Sequence, residues 1–208
     1  MVRGIFAFMV LLWLTGCRAA EPLPPAEAQE ILRQLWQTDR HAVWEIDSPA
    51  IPIGGPLVVE TWQQGDRYRY EILESTAPAL AGETLVFDGQ LAWPYNRFDP
   101  PPAFEPGLPA LAPVTETFDL IEHLLTTPAA EASQSTARLN FQPAHLITLT
   151  YPNGDTLAMW RAETGALPVK VEFSLAGKAG ELLAREIEPL GDAPPALFEV
   201  GEWLISRP

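Results

Sequence analysis

The sequence predicts an α+β fold, a curved antiparallel sheet covered by two helices and a proline-rich lid loop. Three observations predict it. Short runs of alternating apolar and polar residues recur along most of the chain, joined by turn-forming dipeptides. Two other segments place their apolar residues at helical spacing. Between the two helical segments, residues 96–113 hold too many prolines for a central strand and have the length of a functional lid.

Taken in order, residues 25–40 read as an amphipathic helix. Pro25 suits a first turn, and Ile31, Leu32, Leu35 and Trp36 share one face. Residues 42–47 form a strand carrying Val43, Trp44 and Ile46. Residues 57–63 and 67–74 flank Gln64-Gly65-Asp66 and make a hairpin; Tyr68, Tyr70 and Ile72 line one face of its second arm, Arg67, Arg69 and Glu71 the other. Residues 84–87 and 90–95 flank Asp88-Gly89, a two-residue turn signal because such turns need positive φ. After the lid, residues 115–126 read as a helix capped by Thr115, with Phe118, Ile121, Leu124 and Leu125 on its apolar face. Residues 146–151 and 155–161 form a hairpin around Pro152-Asn153-Gly154. Residues 167–175 alternate, with Leu167, Val169, Val171, Phe173 and Leu175 facing one way; residues 181–188 follow, and residues 197–200 read as a closing edge strand. A meander of this kind has one apolar face that the helices must cover, leaving a concave apolar space. The candidate lining residues are Tyr68, Tyr70, Phe87, Trp93, Phe118, Ile121, Leu125, Val171 and Phe173.

The amino-terminal end carries a separate signal. Arg3 precedes an apolar run from Ile5 to Leu14, too short to span a bilayer but of signal-peptide length. Leu14-Thr15-Gly16-Cys17 resembles the lipobox of bacterial lipoproteins, and Cys17 is the only cysteine in the chain. That resemblance implies a leader of residues 1–16, a covalent diacylglycerol and an N-acyl (palmitate-type) lipid on Cys17, and a lipid-anchored position in the cell envelope, outside the cytoplasm. Two acyl chains suffice for stable anchoring. Residues 17–24 then read as a tether and residues 25–208 as one ligand-binding domain.

Composition sets the exclusions. The 208 residues carry 13 Lys and Arg against 27 Asp and Glu, a net charge of −14, which repels nucleic acid. A single cysteine allows no internal disulfide. His41, His123 and His145 are scattered without metal-ligand spacing, so no metal or other cofactor is expected. There is no nucleophile elbow and no phosphate loop, and the chain does not read as an enzyme. It is expected to be monomeric.

Residues 84–96, Thr-Leu-Val-Phe-Asp-Gly-Gln-Leu-Ala-Trp-Pro-Tyr-Asn, resemble the central segment of the LolA/LolB family of lipoprotein carriers and receptors. Trp160 with residues 164–173, and Leu197-Phe198-Glu199-Val200, resemble the family's late hairpin and closing segment. The resemblance implies an unclosed β-barrel over a helical lid, an apolar cavity for acyl chains or another lipophilic ligand, and a part in lipoprotein sorting and transport. RseB-like members imply the alternative, an envelope sensor that docks a membrane protein. The family's soluble carriers are not acylated, so the lipobox favours an anchored receptor or sensor.

Overall fold

In a computed structural model the described residues are 20–51, 55–96 and 111–199. Cys17 and the leader, most of the lid loop and Val200 lie outside them. Within them the chain forms one antiparallel sheet of eleven strands with two helices, the architecture expected.

The strands are β1 (Glu21–Pro22), β2 (Arg40–Asp47), β3 (Leu57–Gln64), β4 (Arg67–Glu74), β5 (Glu83–Phe87), β6 (Ala92–Asn96), β7 (Glu131–Leu139), β8 (Gln142–Thr150), β9 (Thr156–Ala162), β10 (Pro168–Leu175) and β11 (Lys178–Pro189). Their spatial order is β1-β7-β8-β9-β10-β11-β2-β3-β4-β5-β6. Strands β1 and β6 each have one neighbour, so the sheet does not close. Helix α1 (Pro25–Gln37) and helix α2 (Ala112–Thr126) supply Leu32, Leu35, Trp36, Phe118, Ile121 and Leu125 to a single core, shared with Trp44, Leu149, Met159, Val171 and Phe173 of the sheet.

Several boundaries differ from expectation for identifiable reasons. Helix α1 stops at Gln37, and Thr38 turns extended with ψ 132°. Arg40 therefore opens a strand instead of ending the helix. Its guanidinium donates back to the carbonyls of Trp36 and Thr38 and stacks over the Trp36 ring at 4.5 Å, giving the helix end a cationic cap. Burial pulls the Arg40 guanidinium down to about 10. Helix α2 starts three residues early, at Ala112, with Pro113 in its first turn. Thr115 does not cap it; its hydroxyl donates to the Ala112 carbonyl at 3.0 Å inside the turn. The Asp88-Gly89 turn is a four-residue loop, because Phe87 pairs with Ala92 and the Asp88 carboxylate accepts the Gln90 and Leu91 amides at 2.8 Å each. Leu197 closes a 3₁₀ turn (Pro195–Leu197) and is not in a strand, while Phe198 buries against the Arg67 guanidinium at 4.9 Å. Glu21 and Pro22, read as tether, instead pair with Gln134 and Ser133 at the sheet edge.

Strand β7 is absent from the sequence-based expectation. Its sequence, Glu-Ala-Ser-Gln-Ser-Thr-Ala-Arg-Leu, has no apolar alternation because it lies near the sheet edge and most of its side chains stay at least partly exposed. It runs into β8 through a tight turn, Leu139 opposite Gln142, whose central residues Asn140 and Phe141 have φ of 49° and 67°. Left-handed backbone suits Asn and Gly but is costly for Phe. Phe141→Gly is therefore expected to raise stability by about 1 kcal/mol, read from the urea midpoint at constant m-value. A loss of stability would mean the turn is not left-handed at Phe141.

On the outer face, His41 stacks on Trp62 at 5.1 Å and lies 2.8 Å from Glu60 and 3.1 Å from Glu188. Burial lowers its pKa, but hydrogen bonds to the two carboxylates outweigh burial and hold it above 6.5. A raised folded-state pKa means the protonated imidazole is stabilised by folding. The contribution is complete below the unfolded value and is lost as pH rises through the folded one. The wild type should therefore lose stability relative to His41→Gln as pH rises from about 5.5 to about 8.5, measured by urea unfolding. Parallel pH profiles would contradict this.

Candidate functional site

The aromatic and aliphatic residues expected to line an open hollow come together, but as packed core. Tyr70, Phe118, Ile121, Leu125, Val171 and Phe173 are all at most 7% exposed. Tyr70 stacks on Phe118 at 4.9 Å and Tyr68 on both Tyr70 and Phe87, at 4.7 and 5.0 Å, while Phe118 packs against Trp36 at 5.4 Å with the rings tilted. The space beneath the helices is thus filled by the side chains of α1 and α2. Trp93 stands apart on β6, its indole nitrogen 3.3 Å from the Asp88 carboxylate. Tyr68 also borders a cleft of about 230 Å³ with Trp36, Asp119 and Glu122. Burial, then Asp119 nearby, raises the Glu122 pKa.

The larger opening lies elsewhere, between α1 and the β7–β9 end of the sheet. It is a groove of about 490 Å³, inside the range of roughly 300–1,000 Å³ usual for small-molecule sites. Its roof is one edge of α1, with Ile31, Leu32, Gln34 and Leu35. Its floor is two cross-strand rows. The inner row is Gln134, Ile147 and Met159, which are direct partners across β7, β8 and β9. The outer row is Thr136, His145 and Arg161, partners in the same way two residues further along. Period-2 alternation puts both rows on the face that α1 covers.

The groove is graded. Met159 at its inner end is 1% exposed and belongs to the core, beside the half-buried Ile147. His145 at the outer end is exposed and sits opposite Arg161. Glu21 of β1 closes one side. Helix α1 is held in place over the floor by Gln29, whose amide donates to the Leu125 and Thr127 carbonyls at 2.6 and 2.8 Å and clasps the end of α2. None of the floor residues stands out in the sequence as a ligand contact. The alternation of Ile147 with Leu149 and of Leu157 with Met159 is a usable signal, but the third strand of the floor, β7, carries none.

Among the described residues no group of three or more His, Cys, Asp or Glu side chains could hold a metal ion, and no helix is long and apolar enough to cross a membrane.

No protein-family model matches the sequence, and no curated protein matches it. Solved structures do share its fold. MucB in complex with the periplasmic part of MucA aligns at a TM-score of 0.53 and 11% identity, over 86% of this chain and 60% of the other. MucB alone gives 0.51 and 12%, over 85% and 63%. A conserved protein from Thermus thermophilus gives 0.51 and 15%, over 82% and 92%. The chain spans about 60% of the MucB chains it matches. The likeness is one of fold. It places the chain in the class of unclosed, helix-covered antiparallel sheets that the LolA/LolB resemblance implies.

Proposed function

We propose that this chain is an envelope lipoprotein, anchored outside the cytoplasm through acylated Cys17, that holds the acyl chain of an acidic lipid or lipoprotein in the groove under α1. It acts as a carrier or receptor and not as an enzyme. The observation that supports this most is the gradient along the groove floor. Ile147 and Met159 of the inner row, under Ile31, Leu32 and Leu35 of α1, suit a hydrocarbon chain, and the His145–Arg161 pair at the mouth suits a carboxylate or phosphate. Part in lipoprotein sorting would follow from the same site, since the acyl chains of lipoproteins are its natural cargo.

The test is a titration of the delipidated mature protein with a fluorescent long-chain fatty acid and with its methyl ester. Uptake of the acid is expected, with Arg161→Gln weakening the acid about tenfold, near 1.4 kcal/mol, and leaving the ester unchanged. No uptake of either would remove the proposal.

A second reading, docking of a protein partner, is favoured by one observation: MucB, of the same fold, is solved bound to MucA. It predicts a specific protein crosslinked to this chain in intact cells, with no lipid copurifying.

A further inference from the structure

We propose that the β7–β8 hairpin tip, with Phe141 at its apex, rests in a lipid surface and sets the orientation of the anchored domain. The inference uses the Cys17 anchor of the preceding section but concerns a different contact. It stands on three independent observations.

The first is exposure. Phe141 is 91% exposed, against 56% for Leu91, the other large exposed apolar residue among the described ones. It occupies a left-handed position, φ 67°, where Gly or Asn would be easier. A bulky aromatic held outward at such a position gains nothing from the fold. At a lipid–water boundary it buries its ring.

The second is charge. The chain holds 27 acidic residues, yet none occurs between Glu131 and Asp155, a stretch that includes almost all of β7 and all of β8. Within it lie Arg138 and His145, and His145 sits opposite Arg161. Glu163 follows β9, one strand further in. With Glu21 on the neighbouring β1, this end carries acids and bases in near balance, where most of the protein is acidic and repelled by a headgroup surface carrying negative charge.

The third is where the chain enters. Strand β1 runs antiparallel to β7, with Glu21 opposite Gln134 and Pro22 opposite Ser133. The chain therefore reaches Glu21 from the side of the hairpin tip. Glu21 is four positions after Cys17, a reach of at most about 14 Å. The tip lies six to seven residues along β7 from Gln134, or about 20 Å. A lipid anchor on so short a lead brings that end of the sheet to the membrane, with the groove mouth at His145 facing the same way.

The experiment uses the acylated mature chain in phosphatidylcholine vesicles. Acylated Cys17 has no free thiol, so Phe141→Cys and Leu91→Cys each give one site for an NBD label. Flotation and intact mass report the anchor separately from the tip. In floated, acylated protein, label at position 141 should be blue-shifted and lose at least half its emission when the vesicles carry a shallow doxyl-lipid quencher. Label at position 91 should behave as in water. Protein that floats with position 141 unquenched overturns the proposal. So does a blue shift without doxyl quenching, which would assign the tip to a protein contact. Protein that fails to float is scored after tethering to the same vesicles through a carboxy-terminal His tag and chelating lipid, where an unquenched position 141 overturns the proposal equally.

Discussion

Trp36→Ala is expected to lower unfolding free energy by about 4 kcal/mol, a large share of the roughly 5–15 kcal/mol of an ordinary domain. Trp36 is 1% exposed and joins three parts of the core: Trp44 of β2 at 6.5 Å, Phe118 of α2 at 5.4 Å and the Arg40 guanidinium at 4.5 Å. Removing the indole leaves a cavity that neither helix can fill without shifting the other. It also strips the aromatic cover from a buried cation, whose charge is costly to leave uncompensated. Trp160→Ala is the control, since that ring lies half-buried on the outer face beside Lys170 and should cost about 1 kcal/mol. Urea unfolding of the two variants measures the contrast. Equal losses would mean that α1 is not packed on the sheet as described.

Gln134→Trp should abolish most ligand uptake while leaving stability within about 0.5 kcal/mol of wild type. Gln134 is exposed, occupies the inner floor row beside Ile147 and Met159, and sits on a strand where an aromatic is well tolerated. An indole there occupies the space that a hydrocarbon chain would take. A loss of at least about tenfold in fatty-acid affinity, about 1.4 kcal/mol, is expected in a fluorescence titration. Unchanged affinity together with unchanged stability would place the ligand outside this groove.

The sheet and both helices were legible because their signals are local. Ile31, Leu32, Leu35 and Trp36 announce α1 by spacing, and Tyr68, Tyr70 and Ile72 announce the inward face of β4 by alternation. Boundaries were lost where tertiary contacts decide them: Arg40 left the helix because its guanidinium caps the end of that helix from the first position of β2. Most of the expected lining residues are packed as core for a related reason. Large aromatics drew attention to Tyr70, Phe118 and Phe173, and such residues are the ones that pack most completely. The end of the Phe173 ring even lies against Gly180, where an added Cβ would meet it at 2.3 Å. The groove depends instead on register, which lines up Thr136 with His145 and Arg161 from three strands. One of those strands is polar and without periodicity, so no reading of local pattern could assemble the row.

The central claim is that a hydrocarbon chain lies between α1 and the inner row of β7–β9. Methyl NMR of the mature protein during titration with a long-chain fatty acid tests it most directly. The methyls of Ile31, Ile147 and Met159 should shift with saturation, while Ile46 and Ile121, fully buried away from the groove lining, stay in place. Saturating shifts confined to Ile121, Leu125 and Val171, with Ile147 and Met159 unmoved, would contradict it.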